Sequence, residues 1–248
     1  MEIITAKDLD VGYGKATILK EMSFSIPKGQ VTVILGKSGC GKSTLMKTLI
    51  GLLPPLKGEI FFSGEKIDFQ SEESLQSLYR RIGVLYQNGA LITSLNVYEN
   101  VDLPIRMGHE SMKREEEEQA VYQRLSQVGL GDSLEKYPSE LSGGMRKRAA
   151  LARAMILDPE ILFCDEPSAG LDPITSSGLD ELLLDLKNTL GMTVVVVTHE
   201  LRSIEKIADK VIVLHEGEMH FSGKYDDLFS LEDTFIETFF LKKGKNND

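Results

Sequence analysis

The chain has 248 residues, 42% hydrophobic and 27% charged, which suits one large globular domain or a domain with a sizeable insertion and excludes a disordered polymer. Its net charge of -10 argues against a general nucleic-acid binder, whose footprint is basic. No run approaches the ~18 consecutive apolar residues of a membrane span, and Met1-Glu2-Ile3-Ile4 lacks the features of a signal peptide, so the chain is expected in the cytosol.

Short strands are predicted at 3–9, 18–26 and 30–35, punctuated by Gly12, Gly14, Pro27 and Gly29. The third carries a continuous apolar run, Val31, Val33, Ile34 and Leu35, of the kind buried on both faces of a mainly parallel sheet. It leads into Gly36-Lys37-Ser38-Gly39-Cys40-Gly41-Lys42-Ser43-Thr44, a P-loop pattern in the required context, with a helix predicted at 42–50. The glycines let main-chain N–H groups converge on phosphates, Lys42 is suited to the β- and γ-phosphates, and Ser43 to Mg²⁺. Strands at 58–67 and 82–86 surround a helix opened by Ser71.

The middle of the chain is helical. Val121, Leu125 and Val128 recur at helical spacing within 111–128, and Glu115 to Glu118 lie near the start, where acidic charge suits the macrodipole. Leu141-Ser142-Gly143-Gly144-Met145 then reads as a second anion receptor: Ser142 can cap a helix whose free N–H groups point outward. A basic run, Arg146, Lys147 and Arg148, follows it.

Strand and helix then alternate at 161–164, 173–190, 193–198, 201–208 and 210–214, which makes an α/β sheet interrupted by a helical insertion. The first of these strands delivers Asp165, suited to hold Mg²⁺, and Glu166, suited to polarise the water that attacks the γ-phosphate. Cys40 and Cys164 have no metal-ligand spacing and are expected as reduced, packed thiols.

In this order the residues resemble the nucleotide-binding subunits of ABC transporters: Tyr13, the P-loop, Gln87, the segment 141–145, Asp165 and Glu166, Ser168-Ala169-Gly170-Leu171-Asp172, and His199. The resemblance covers nearly the entire chain and implies a P-loop NTPase core with a mainly parallel sheet, an N-terminal antiparallel β-subdomain and an inserted helical subdomain. A single ABC ATPase domain would then occupy 1–248, with its core at 1–87 and 159–230, its helical subdomain at 88–158 and a C-terminal extension at 231–248.

The resemblance also assigns roles. Tyr13 would be the adenine platform, Glu166 the catalytic base, and His199 the holder of the γ-phosphate and the water. Gln87 would touch Mg²⁺ and report its presence to the helical insertion. Two copies would meet head to tail, so that ATP on one P-loop is gripped by Ser142, Gly143 and Gly144 of the other while Asp172 ties the two sites together.

Leu-Ser-Gly-Gly-Met with its basic continuation, the segments 87–91 and 96–101, and Asp172-Pro173-Ile174-Thr175 are similar to the Mla-type ATPases that serve MCE-protein phospholipid transporters. That likeness implies an integral membrane permease and an MCE substrate-binding protein as partners, no nucleic acid, and a peripheral position on the cytoplasmic face of the inner membrane. Met145 replaces the commoner Gln, and Lys37 a common Pro. An ABC importer or exporter for another substrate, and a non-transport ABC ATPase, are the alternative readings. The amphipathic tail with Phe235, Ile236, Phe239, Phe240 and Leu241 is expected to pack on its own domain, reach the partner ATPase or lie on a membrane.

Overall fold

The computed structural model describes residues 1–108, 113–230 and 233–236. The chain runs β1 (Glu2–Tyr13), β2 (Ala16–Pro27), β3 (Val31–Gly36), α1 (Lys42–Leu49), β4 (Lys57–Phe62), β5 (Glu65–Lys66), α2 (Glu72–Arg81) and β6 (Ile82–Leu85). Helices α3 (Val97–Met107), α4 (Arg114–Gln127) and α5 (Gly143–Met155) follow. Then come β7 (Ile161–Asp165), α6 (Pro173–Leu190), β8 (Thr193–Val197), α7 (Leu201–Ile207), β9 (Lys210–His215) and β10 (Glu218–Lys224).

Two sheets form. The larger has the order β10-β9-β3-β8-β7-β6, parallel throughout except for the antiparallel edge strand β10. The smaller, β2-β1-β4-β5, is antiparallel. Every residue of β3 and β8 is buried, as β-branched runs in central strands should be.

Alternate side chains of these strands enter two different cores. Val33, Leu162, Val194 and Val196 pack with α3 to α7, whereas Ile34, Phe163, Val195 and Val197 pack with α1 and the inner face of the antiparallel sheet. Helix α1, and the loop before it, are thereby held between two layers.

Some sequence expectations are redrawn. The strand expected at 58–67 is a hairpin, β4 and β5, because Ser63 (φ 48°) and Gly64 (φ 87°) make a left-handed turn between them. Strands β1 and β2 are longer than the expected 3–9 and 18–26, since their pairing continues to Tyr13 and Ala16. Helix α3 and strand β10 were not anticipated. The first residues of the helix expected at 111–128 lie outside the described residues, and α4 ends at Gln127.

Candidate active site

Four neighbouring parallel strands end on the same side of the sheet, and each is followed by a polar segment. Strand β3 leads into the P-loop, β6 into Gln87, β7 into Asp165 and Glu166, and β8 into Thr198 and His199. Ligands of open parallel sheets bind beyond such carboxyl ends. A cavity of about 880 Å³ lies there, lined by Gly36, Lys37, Ser38, Gly39, Gly41, Lys42, Ser43, Thr44, Gln87, Asp165, Glu166 and His199, together with Ile18 and Phe235.

The loop geometry follows from its residues. Gly41, which precedes α1, has φ 105°, and a Cβ there would sit 2.8 Å from Leu19 Cγ, so no other residue fits the turn into the helix. Lys42 is buried, and its Nζ donates to the carbonyls of Gly36 (2.9 Å) and Lys37 (3.1 Å), which holds a positive charge inside the loop. Cys40 lies beneath the loop rather than among the lining residues, and Cys164 is fully buried; both thiols are free. Burial pushes the Cys164 thiol far above its ordinary range.

Asp165 and Glu166 have different surroundings. The Asp165 carboxyl is raised by burial and then by the adjacent Glu166 charge, against the opposing pull of Lys42, Lys47 and Lys147. Its Oδ1 is buried without a hydrogen-bond partner. An unpartnered carboxylate oxygen on a residue that lines the same cavity as Ser43 and Gln87 fits a divalent cation. Among the described residues no group of three or more His, Cys, Asp or Glu side chains could hold a metal by itself. One carboxylate plus substrate phosphates is the donor set usual for Mg²⁺.

Glu166 adopts φ 45°, a left-handed conformation costly for a residue with a Cβ. Its N–H donates to Val197 O at 2.8 Å, which extends the β7–β8 pairing by one residue. The carboxylate is then presented to the cavity: Oε1 lies 2.7 Å from His199 Nδ1, and Oε2 accepts from the Thr198 hydroxyl at 3.3 Å. A carboxylate fixed at both oxygens can direct a proton acceptor at a bound water.

The remaining predicted residues stand apart from this cavity. Tyr13 ends β1, half exposed, with its hydroxyl 3.4 Å from the Nζ of Lys47 on α1. Ser142 caps α5 by accepting from Met145 N, and Gly143 and Gly144 begin that helix. Their first turn faces the start of α6: a Cβ on Gly144 would lie 2.4 Å from Thr175 Cγ2. Asp172 caps α6, accepting from the Ile174 and Thr175 N–H groups and from the Thr175 hydroxyl at 2.6 Å. These bonds, led by the Thr175 hydroxyl, hold its carboxyl below the usual range. The two anion receptors of the sequence therefore do not share a cavity within one chain.

Two contributors escaped the sequence reading. Lys147, from the basic run, is buried, and its ammonium donates to the carbonyls of Gln87 and Glu166, the latter at 3.3 Å. Burial lowers its pKa, against the opposing effect of Cys164, Asp165, Glu166 and Glu200. Phe235, from the tail, lines the cavity, stacked on His215 at 3.8 Å between centroids, while Ile236 is buried in the core. The described part of the tail, 233–236, thus packs on its own domain; Phe239, Phe240 and Leu241 lie outside the described residues. Nothing in the local sequence signals either contact, since both depend on long-range packing.

A family model described as ABC transporter matches residues 19–169. The chain is 39% identical over 236 residues to a Mycobacterium leprae protein named "Probable ribonucleotide transport ATP-binding protein mkl", covering 95% of this chain and 68% of that one. It is 37% identical to the intermembrane phospholipid transport system ATP-binding protein MlaF of Escherichia coli K12, covering 96% of this chain and 88% of MlaF. It is also 37% identical to the methionine import ATP-binding protein MetN of Mannheimia succiniciproducens, with 96% and 68% covered. The chain spans about two thirds of the length of the mycobacterial relatives that it matches.

Among solved structures it resembles a Clostridium perfringens protein that is part of the ABC transporter complex cbiONQ, with a TM-score of 0.85 and 30% identity over 98% of this chain and 96% of that one. It also resembles a dimeric ATP-binding cassette in a post-hydrolysis state with ADP and phosphate bound, with a TM-score of 0.80 and 30% identity over 89% and 98% of the two chains.

Proposed function

Because the chain belongs to the ABC transporter family, as an ATP-binding cassette with the ABC ATPase fold, we propose that it powers phospholipid transport across a bacterial envelope by ATP-driven closure of a head-to-tail dimer. The observation that supports ATP hydrolysis at this site is the convergence of Lys42, Asp165, Glu166, Gln87 and His199 on one cavity. In this reading the P-loop N–H groups and Lys42 bind the β- and γ-phosphates, and Tyr13 takes the adenine. Ser43, Gln87 and Asp165 are the residues that would hold Mg²⁺, which supplies charge neutralisation at the phosphates when bound.

Glu166 accepts the proton of the attacking water, and His199 orients both that carboxylate and the γ-phosphate. Ser142, Gly143 and Gly144 of a second copy close the site, which accounts for a cap that does not line the chain's own cavity. Asp172 lies in the loop that would face the partner. In this reading Gln87 reports nucleotide and Mg²⁺ occupancy to the helical insertion at 88–158, through which the permease would be reached.

Among the described residues no helix is long and apolar enough to cross a membrane; in this reading an integral permease is the membrane partner. An MCE substrate-binding protein is the further partner in this reading, on the inner-membrane cytoplasmic face. Phospholipid is favoured by the match over 88% of MlaF's length. The equal identity to MetN supports a second reading, import of a small polar solute such as an amino acid.

One experiment separates them. The chain is co-purified with its membrane partners, and the bound lipids and proteins are identified by mass spectrometry. ATP-dependent movement of labelled phospholipid between vesicle populations is then measured. Phospholipid carry-over and transfer that stop with Lys42→Ala support the proposal; ATP turnover stimulated by a solute-binding protein, without lipid transfer, overturns it in favour of the second reading.

A further inference from the structure

Two basic side chains of α5, Lys147 and Arg153, hold the main chain beside the active site. From successive turns of α5, Lys147 donates to the Gln87 carbonyl, and the Arg153 guanidinium donates to the carbonyls of Gly89 and Ala90, both at 2.8 Å. Lys147 alone of these two also reaches the end of β7, at the Glu166 carbonyl. It therefore joins the peptides of two residues whose side chains line the same cavity.

A lysine that is 5% exposed, with its ammonium bonded to main-chain carbonyls, is an expensive way to fill space. A methionine of similar length would pack there at lower desolvation cost. What methionine cannot do is hold two carbonyls at a fixed separation. That constraint matters here because Glu166 sits in a left-handed conformation, φ 45°, which the surrounding bonds must maintain. A tilt of its peptide would swing the carboxylate off the position set by His199 and Thr198.

We infer that Lys147 is a positioning residue: one buried ammonium on the helix that begins at Ser142 fixes the Gln87 and Glu166 peptides against each other, so that a displacement of α5 changes the aim of both side chains together. This rests on the ATPase reading of the cavity. It differs from nucleotide binding, because Lys147 does not line the cavity and need not touch phosphate.

The test compares Lys147→Met with Lys147→Gln in the full-length chain. Gln keeps N–H donors at slightly shorter reach, whereas Met keeps only the bulk. Phosphate release is measured against ATP and against Mg²⁺ concentration, alongside thermal unfolding. The expected result for Lys147→Met is a kcat lowered at least about tenfold, KM for ATP within about twofold of wild type, and an undiminished Tm. Lys147→Gln should recover kcat to within about threefold of wild type.

A Lys147→Met protein with wild-type kcat overturns the inference. So does a loss of kcat that follows a falling Tm equally in both variants, since that marks a structural role. A wild-type chain that binds ATP but releases no phosphate, alone or with its membrane partners, overturns the ATPase reading itself.

Discussion

The His199 ring nitrogen Nδ1 lies 2.7 Å from Glu166 Oε1, joining the second residue after β8 to the first residue after β7. Since Thr198 holds the other oxygen at 3.3 Å, the carboxylate is aimed by two consecutive residues of one strand end. Glu166→Gln preserves the shape but removes the proton acceptor. Phosphate release should fall ~100-fold or more while ATP still binds, and size-exclusion chromatography with ATP should show a persistent dimer. A variant that binds ATP yet stays monomeric, both alone and in its membrane complex, contradicts the shared site.

Lys42 acts earlier in the cycle. Its buried Nζ lies inside the loop, bonded to the Gly36 and Lys37 carbonyls, so Lys42→Ala removes the charge that phosphates would meet. Affinity for ATP should fall at least about tenfold, read by a fluorescent ATP analogue, and phosphate release should disappear. Unchanged affinity would mean that the triphosphate lies elsewhere.

Away from the site, Asp180 gives a pH signature. It is 3% exposed between α6 and α7, and its Oδ2 accepts from Ser203 at 2.8 Å while Oδ1 has no partner. Burial raises its pKa, more than the Ser203 bond and Lys206 lower it, with Glu200 and Glu181 adding to the rise. The native state therefore holds this proton more tightly than the unfolded chain does. Its contribution to stability falls as pH rises from about 4 through the raised value, and is constant above it. Asp180→Asn should remove that component and raise Tm by about 2 °C at neutral pH, with little change near pH 4. A lowered Tm at neutral pH would show that the carboxylate is better satisfied than its neighbours indicate.

Legibility followed how local the physics is. The P-loop could be read because phosphate binding demands fixed residue types at fixed spacing directly after a buried strand. Helix α6 could be read at both ends, since Asp172 and Pro173 open it and Gly191, with φ 63°, closes it. Helix α3 was hidden by Pro104, although Asn96 and Glu99 form a capping box at its start. Strand β10 was hidden by its mixed polarity at a sheet edge. Lys147 and Phe235 were illegible for a different reason. Their partners lie far away in sequence, at Gln87 and His215, and nothing in a basic run or an aromatic tail specifies which surface each one meets.

The separation of Ser142 and Gly144 from the chain's own cavity gives the sharpest test of the dimer. In the helix that they open, a Cβ at position 144 would lie 2.4 Å from Thr175 Cγ2, and Thr175 cannot turn away freely because its hydroxyl is bonded to Asp172. Gly144→Ala should therefore destabilise the fold by about 1–3 kcal/mol through overpacking. Thr175→Ser deletes the clashing methyl and keeps the hydroxyl, so the double variant should regain the lost stability. If Gly144 also presents its backbone to nucleotide on a second copy, restored packing leaves that approach obstructed. The double variant should then bind ATP with wild-type affinity but fail to dimerise with it, measured in the Glu166→Gln background by size-exclusion chromatography. Recovery of both stability and ATP-dependent dimerisation would reduce Gly144 to a packing residue and remove the need for a second copy at that point.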